Sequence, residues 1–461
     1  MNLFITASQV RGLPLAEQEK LSDLISIYTE HAAKNAVKER YYEGKISLAE
    51  VNLGIALPKN MRELQIGCAW GAKAVDVLAA RSMFDGFVNA SGAQSDELTG
   101  LVVNNDLIAE YAKACRDELK FGCTYATLSA DPAIGCKIRF HSPLTASARW
   151  DGERGRIGYG MAVINVAKTR DGVQRPTTIN LYTDSAIWVL TYANDQWFAE
   201  EHPHEMGRPL MEAFVWNATS AKPFGRSRIK EPIRRLIQGY VRTMANATIG
   251  LEFATSPQKY LLGITDDQYD AIINDKFRQY VGSIIAATTN PETGEKPTFG
   301  QLQQGNIAPH VEMMRLLATQ FSSATGLSVT DTGVVNDANP TSSDAILAQT
   351  QTLVGMAEQL NAGNGDSLRT VAVMALAIMN NMTVEELPEE MRDIMAHFKN
   401  PALPSVAVTA DAAIKIASAR QSFAQTDTFL EMIGFSQADI RRIRAQERMN
   451  QGLQILSELE E

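Results

Sequence analysis

No Cys-x-x-Cys pair occurs among the four cysteines, Cys68, Cys115, Cys123 and Cys136, so neither a zinc ribbon nor a disulfide framework is indicated. Reduced thiols in a cytosolic setting are the expectation. Long apolar runs are missing too: the longest strongly apolar stretch, Val371 to Met379, is far shorter than the roughly 20 residues a membrane-spanning helix needs. The start of the chain, Met1-Asn-Leu-Phe-Ile-Thr, has no charged segment leading into an apolar core, and no signal peptide is expected. Without a secretory route, the Asn-x-Ser/Thr sequons at Asn89, Asn217, Asn246 and Asn381 carry no message.

Catalytic signatures are equally scarce. Gly67-Cys-Ala-Trp-Gly71-Ala-Lys73 has the wrong spacing for a phosphate-binding loop and lies where a helix begins. No Gly-x-Gly-x-x-Gly opens a βα unit, and neither His-Glu-x-x-His nor Gly-x-Ser-x-Gly occurs. The one candidate for a metal is His202-Pro-His204-Glu205, and no third histidine lies nearby in sequence to complete a site. The simpler reading is a polar turn leading into a strand over Leu210 to Trp216. No enzymatic constellation emerges, and no cofactor or metal is expected.

What is present is a chain of 461 residues with ordinary soluble composition, 45% hydrophobic and 21% charged, long enough for several compact units. Its net charge is −10, yet Lys222 to Gly250 carries seven cations (Lys222, Arg226, Arg228, Lys230, Arg234, Arg235, Arg242) against one acid, Glu231. That segment is therefore +6 and the remainder of the chain −16. A basic segment in an acidic protein points to a confined polyanion-facing surface, with nucleic acid the natural candidate; a solvated helix face is the plain alternative.

Periodicity divides the chain. Leu15 to Tyr42 is predicted as a helix, with Leu21, Leu24, Ile25, Tyr28 and Ala32 at three- and four-residue steps. Trp70 to Phe87 and Glu97 to Phe121 are predicted as two more. From Tyr125 to Ala199 the period becomes two, and turn formers separate short strands at 125–128, 136–140, 162–167, 178–182 and 186–192. No helix alternates with them, so an antiparallel meander in an α+β fold is expected, not a doubly wound sheet. After Pro223 the chain turns helical: Ile229, Ile233, Ile237, Tyr240, Val241, Met244 and Thr248 form a stripe too long for a small domain to bury. An insert over Ser256 to Asn306 is read as a short helix (Thr265 to Asn274), a strand near Tyr280 and a hairpin at Asn290. Ala308 to Gly326 is helix again. Thr341-Ser-Ser-Asp starts a helix through Leu360, which Gly363-Asn-Gly365 is expected to end before a second helix, Asp366 to Asn380. A helical tail follows over Asp411 to Gln425 and Ser436 to Glu461.

Several of these stretches, in order, resemble one family: the portal proteins of tailed bacteriophages, in the siphophage-type branch. The resemblance rests on Arg40-Tyr-Tyr-Glu-Gly, on Trp70 through Arg81 to Asp85-Gly-Phe87, and on Leu181-Tyr-Thr-Asp184. It is most specific in Pro223-Phe-Gly-Arg-Ser-Arg-Ile229, the long helix, and Thr255-Ser-Pro-Gln-Lys-Tyr260. It implies a homo-oligomeric ring of twelve subunits at one capsid vertex, a channel for double-stranded DNA during packaging and ejection, and no enzymatic activity of its own. It also implies the domain plan. The α+β wing with its antiparallel meander would take residues 1–225, joined by wing helices over 344–404. Long stem helices would occupy 226–256 and 307–327, a small α/β clip 257–306, the tunnel-loop region 328–343 and a helical crown 405–461. Asn336, Asp337, Asn339 and Thr341 would line the channel. Arg226, Arg228, Lys230, Arg234, Arg235 and Arg242 would face the lumen or a neighbouring subunit. The implied partners are the terminase large subunit, a head-completion adaptor, and the major capsid and scaffolding proteins, with no membrane; assembly would take place in the bacterial cytoplasm and the mature site would be the virion. On the residues alone, a ring-forming scaffold that passes no DNA and an accessory DNA-binding protein stay open.

Overall fold

A computed structural model describes residues 3–46, 66–89, 96–168, 172–255, 259–262, 294, 296, 298–301, 306–333, 343–402, 406–435 and 437–460. The fold is α+β, and the chain forms two compact units: residues 1–36, 75–228 and 344–461 in the first, 37–74 and 229–343 in the second.

The first unit is built on a six-stranded sheet. Helix α1 (Leu15–Tyr42) lies in it as far as residue 36. Strands β5 (Ala146–Asp151), β6 (Arg156–Lys168), β7 (Gln174–Tyr182), β8 (Ala186–Ala193) and β9 (Gln196–Pro203) run as an antiparallel meander, and β1 (Val10–Arg11) adds in parallel to β9. Leu21, Leu24 and Tyr28 of α1 pack on Met161, Ile179, Leu181, Trp188 and Leu190 of the sheet. Polar contacts fix that seat: the Tyr28 hydroxyl donates to the Leu144 carbonyl at 2.8 Å and the Ser147 hydroxyl to that of Leu24 at 2.9 Å. A meander was expected from 125 to 192, and the structure corrects its extent: the strands at 125–128 and 136–140 belong to a separate three-stranded sheet, and only those at 162–167, 178–182 and 186–192 lie in this one. The expectation lacked β5 and β9, whose alternation is diluted by Arg149 and Trp150 in one and by Glu200, Glu201 and His202 in the other.

A second layer packs helix α4 (Leu107–Phe121) on the three-stranded sheet of β3 (Cys123–Asp131), β4 (Gly135–His141) and β10 (Met211–Val215). Here three expectations are corrected. The helix predicted from Trp70 to Phe87 is α2 (Trp70–Ala79) followed by strand β2 (Phe84–Asn89). That strand forms because β13 (Ile394–Phe398) pairs with it, a partner some three hundred residues away that no local window reveals. The helix predicted from Glu97 to Phe121 is two, α3 (Asp96–Asn104) and α4, broken where buried Asn105 turns its amide to β4. Its Nδ2 donates to the Leu101 and Cys136 carbonyls and its Oδ1 accepts from the Ile138 N–H, while Asp106 takes a left-handed φ of 48°.

The third correction concerns α7 (Ser343–Asn380), which runs unbroken through Gly363-Asn-Gly365. Two helix-interior glycines cost about 1 kcal/mol each relative to alanine. Burial offsets this, because Asn364 is 1% exposed and its Nδ2 donates to Glu118 Oε2 at 2.7 Å and to the Tyr111 hydroxyl at 2.9 Å. Tyr111 in turn shares a hydrogen bond with Ser82 at 2.7 Å. Glu118 is fully buried, and desolvation pushes its pKa up to about 8, so it is protonated at neutral pH. The C-terminal part of this unit holds α8 (Glu389–Arg392), α9 (Val406–Ala419), α10 (Asp427–Ile433) and α11 (Gln437–Glu460). The helix expected to reach Gln425 stops at Ala419 and continues as a 3-10 turn, Gln421–Gln425, and α10 is additional to the expected tail.

In the second unit, helices α5 (Glu231–Thr255) and α6 (Ala308–Thr325) pack together, and a two-stranded ribbon of β11 (Lys259–Leu262) and β12 (Thr298–Gln301) closes the insert between them. The helix, strand and hairpin expected inside that insert lie outside the described residues.

Candidate nucleic-acid interface

Helices α5 and α6 are held by an aromatic cluster that the sequence scatters over three segments. Trp70 stacks on Phe321 of α6 with ring centroids 4.7 Å apart and lies 4.3 Å from Tyr240 of α5. Its indole N–H donates to the Thr332 carbonyl at 3.0 Å. On α5, Ile233, Ile237, Val241 and Ala245 are buried; on α6, Leu317, Ala318, Phe321 and Thr325 are buried. Gly239 lets the helices approach, since a Cβ there would meet Leu317 Cδ2 at 3.2 Å. Gly71 has a similar task beside the end of α1, where a Cβ would collide with the Tyr41 carbonyl. The hydroxyl of Tyr41 accepts the Gln238 amide of α5, so the aromatic end of α1 is a packing element of this unit.

The basic residues are far from equivalent. Arg226 and Arg228 lie in the first unit, ahead of the helix, and Lys230, Arg234, Arg235 and Arg242 in the second. Arg228 is 8% exposed, its guanidinium 5.9 Å from the Trp216 ring and its Nη1 3.5 Å from Met356 Sδ. Burial draws its pKa down to about 10, which leaves it charged at neutral pH but directed inward. Arg234 and Arg235 share one carboxylate, Glu231, at 3.0 and 2.9 Å, so this first turn of α5 carries a net single positive charge. The two guanidinium groups hold the Glu231 carboxyl below its ordinary pKa, Arg235 most strongly. Arg234 also lies 6.0 Å from the Tyr41 ring centre. Arg226, Lys230 and Arg235 are exposed and Arg242 is half-buried. Arg235 and Arg242 are seven residues apart, two helical turns, and so share one side of α5 about 10 Å apart along its axis. The surface is thus a sparse line of cations rather than a dense patch. Asn336, Asp337, Asn339 and Thr341 lie outside the described residues.

The face of α6 away from its core leaves Met313 and Leu316 at 43% and 51% exposure beside exposed Thr319, Gln320 and Ser323. Sequence reasoning did not single out these residues; a helical wheel centred on Leu317, Ala318 and Phe321 would have shown Leu316 on the opposite side and Met313 on the flank.

The histidine pair of the polar turn sits in the first unit, on β9 and just beyond it. His202 Nε2 lies 3.7 Å from Glu200, and the Met206 N–H donates to His204 Nδ1 at 3.4 Å. Burial lowers the pKa of His204. Both residues line a cavity of about 640 Å³ with Asn180, Met206, Met382 and Glu386. Among the described residues, no group of three or more His, Cys, Asp or Glu could hold a metal ion, and no helix is long and apolar enough to cross a membrane.

Comparison with known proteins bears on this geometry. A family model described as "Phage portal protein, SPP1 Gp6-like" matches residues 21–453. The chain is 24% identical over 458 residues to the portal protein of Mycobacterium phage D29, covering 94% of this chain and 90% of that protein. It is 23% identical over 426 residues to the portal protein of Mycobacterium phage L5, covering 87% and 84%. Among solved structures, a chain in the neck of an empty gene transfer agent particle is similar with a TM-score of 0.47 and 12% identity, over 79% of this chain and 89% of that one.

Proposed function

We infer the function from membership: the chain belongs to the phage portal protein family of the SPP1 Gp6-like type. It is a portal vertex protein and a component of a phage particle. Beyond that, we assign it the role of a ring-shaped conduit of twelve subunits through which double-stranded DNA enters the capsid and leaves it. ATP hydrolysis would come from a separate terminase motor.

The observation that carries this reading is the helix pair α5–α6, which buries one face through Trp70, Tyr240 and Phe321 and leaves Met313 and Leu316 of α6 exposed. A helix pair that cannot bury all its apolar surface within one chain can do so between ring neighbours. The charge distribution agrees. A conduit must hold DNA without gripping it, and a protein making 6–10 phosphate contacts loses about 10³–10⁵ in affinity between low and moderate salt. Such tight binding would oppose sliding. Here one glutamate offsets two arginines, a third is buried, and the chain outside the basic segment is −16.

On this reading residues 1–225 and 344–404 are wing, α5 and α6 are the stem (226–256 and 307–327), and 257–306 is the clip. The clip would be engaged first by the terminase large subunit and later by a head-completion adaptor. Residues 328–343 would be the tunnel-loop region and 405–461 the crown, and the wing would meet major capsid and scaffolding proteins during assembly in the bacterial cytoplasm. Mass photometry of the purified chain should give closed rings of about twelve; a chain monomeric at every salt concentration would overturn the conduit. Deleting Asn336 to Asn339 should leave rings intact while packaging or DNA retention fails in particles. Loss of the rings themselves would move these residues from the channel to the scaffold.

A further inference from the structure

Among the described residues, the outer side of β5, the far end of the β6–β7 ribbon and part of β9 have no paired strand in the six-stranded sheet. β5 accompanies β6 only as far as Ala162, and β8 joins β7 only from Thr178 onward. Beyond those points β6 and β7 continue as a ribbon of two strands, ending in the pairs Ala167–Arg175 and Lys168–Gln174. Residues 165–168 and 172–175 are exposed on both faces, with Val166 at 44% and Val173 at 45%. A two-stranded ribbon is at best marginally stable alone in water, and an unpaired edge is a template for another strand. The other edge belongs to β9. β1 pairs with Trp197 and Phe198 and Gly12 follows it onto the Ala199 carbonyl, which leaves the outer side of Glu200 to Pro203 without a paired strand among the described residues.

The two edges carry opposite charge. The described ribbon residues include Lys168 and Arg175 and no carboxylate; Arg175 rests 4.6 Å from the Phe4 ring of its own chain. Lys168 pairs with Gln174, the neighbour of Arg175, so the two cations point to opposite faces of the ribbon. The β9 edge carries Glu200 and Glu201, consecutive residues and therefore also on opposite faces. Glu200 is 76% exposed at its side chain, with His202 3.7 Å away.

We propose that the outer edge of β6, over Ile164 to Lys168, pairs with the β9 edge, over Glu200 to Pro203, of a second copy of this chain. The cations and carboxylates then meet with one of each sign on either face, Lys168 on the strand next to β9 and Arg175 one strand, about 5 Å, further in. Pairing like with like would set lysine against lysine or glutamate against glutamate, which disfavours a two-fold dimer. The contact uses different edges on the two copies, so it propagates head to tail, the kind of contact from which a closed ring is built when the rotation per subunit divides a full turn. It rests on the ring reading above and names the wing surface that would join its subunits.

Charge reversal tests it on the full chain. K168E/R175E and E200K/E201K, each alone, should raise the protein concentration at half-assembly by about tenfold or more, read by mass photometry in low salt. An equal mixture should restore assembly, because alternating the two variants around an even-numbered ring makes every edge complementary again. Rings from either variant alone at the wild-type concentration would overturn the edge pairing, as would a mixture that stays unassembled. Wild-type chain that never forms rings overturns the conduit reading instead, so the two failures are distinct.

Discussion

Glu118→Gln is expected to flatten the pH dependence of stability above neutrality and to make the protein more stable than wild type at pH 8. Burial raises the folded pKa of Glu118 from 4.5 to about 8. A group raised in this way contributes its full stability below the unfolded value, and loses it as pH rises through the folded value, because the unfolded chain releases the proton more easily. His141 acts in the opposite sense at lower pH. Burial depresses its pKa from 6.5 to about 4, so its contribution is complete above 6.5 and is lost on acidification. The two overlap between about 4.5 and 6.5; above 6.5 the His141 contribution is complete, and comparison with the glutamine variant separates Glu118 from Glu212, whose pKa burial also raises. Between pH 6.5 and 8 wild type should lose on the order of 2 kcal/mol more than the glutamine variant, at 1.36 kcal/mol per pH unit. Glutamine keeps the shape and the acceptor facing Asn364 Nδ2. Urea denaturation at pH 6.5, 7.2 and 8 measures the difference, and parallel stability curves for the two proteins would sink the assignment.

Trp70→Ala should be the most damaging single change in the second unit. It removes the ring between Tyr240 and Phe321 and the donor to the Thr332 carbonyl. A buried tryptophan replaced by alanine costs about 3–5 kcal/mol through lost contacts and the cavity left behind. Trp70→Phe retains an aromatic ring and leaves the carbonyl without its donor, for a loss of about 1–3 kcal/mol. Chemical denaturation, together with the rate of limited proteolysis within residues 229–333, reports both. A loss under about 1 kcal/mol for the alanine variant would mean that α5 and α6 are held by something other than this cluster. Since these helices are the proposed stem, the same variant should also fail to form rings.

Helix α1 was readable from its three- and four-residue steps because it is long and one-sided, and Gly44, at a φ of 70°, follows its end. The strands with clean alternation were readable for the same reason. Misreadings fell where a distant partner decides the conformation. Phe84 to Asn89 follows a helix in sequence and becomes strand through β13. Asn105 resembles one more polar helix position until β4 engages its amide. Gly363-Asn-Gly365 carries every local sign of a break, yet Tyr111 and Glu118 hold Asn364 inside a continuous helix. Among the site candidates, the cluster of arginines was plain in the sequence, but which of them are spent was not. Arg228 is buried and Arg234 and Arg235 divide one glutamate, facts set by Trp216, Met356 and the helical turn around Glu231.

The sequence by itself determined the α+β class, the long amphipathic helices, the acidic balance with its basic segment, and the order of landmarks that marks the family. These depend on periodicity, composition and spacing, which are local. Tertiary structure alone decided that Tyr41, Trp70, Tyr240 and Phe321 form one unit, that Glu118 is a neutral acid, and that two oppositely charged strand edges have no paired strand among the described residues. Each of those follows from which distant side chains exclude water from which others, and desolvation and edge pairing are properties of the packed chain.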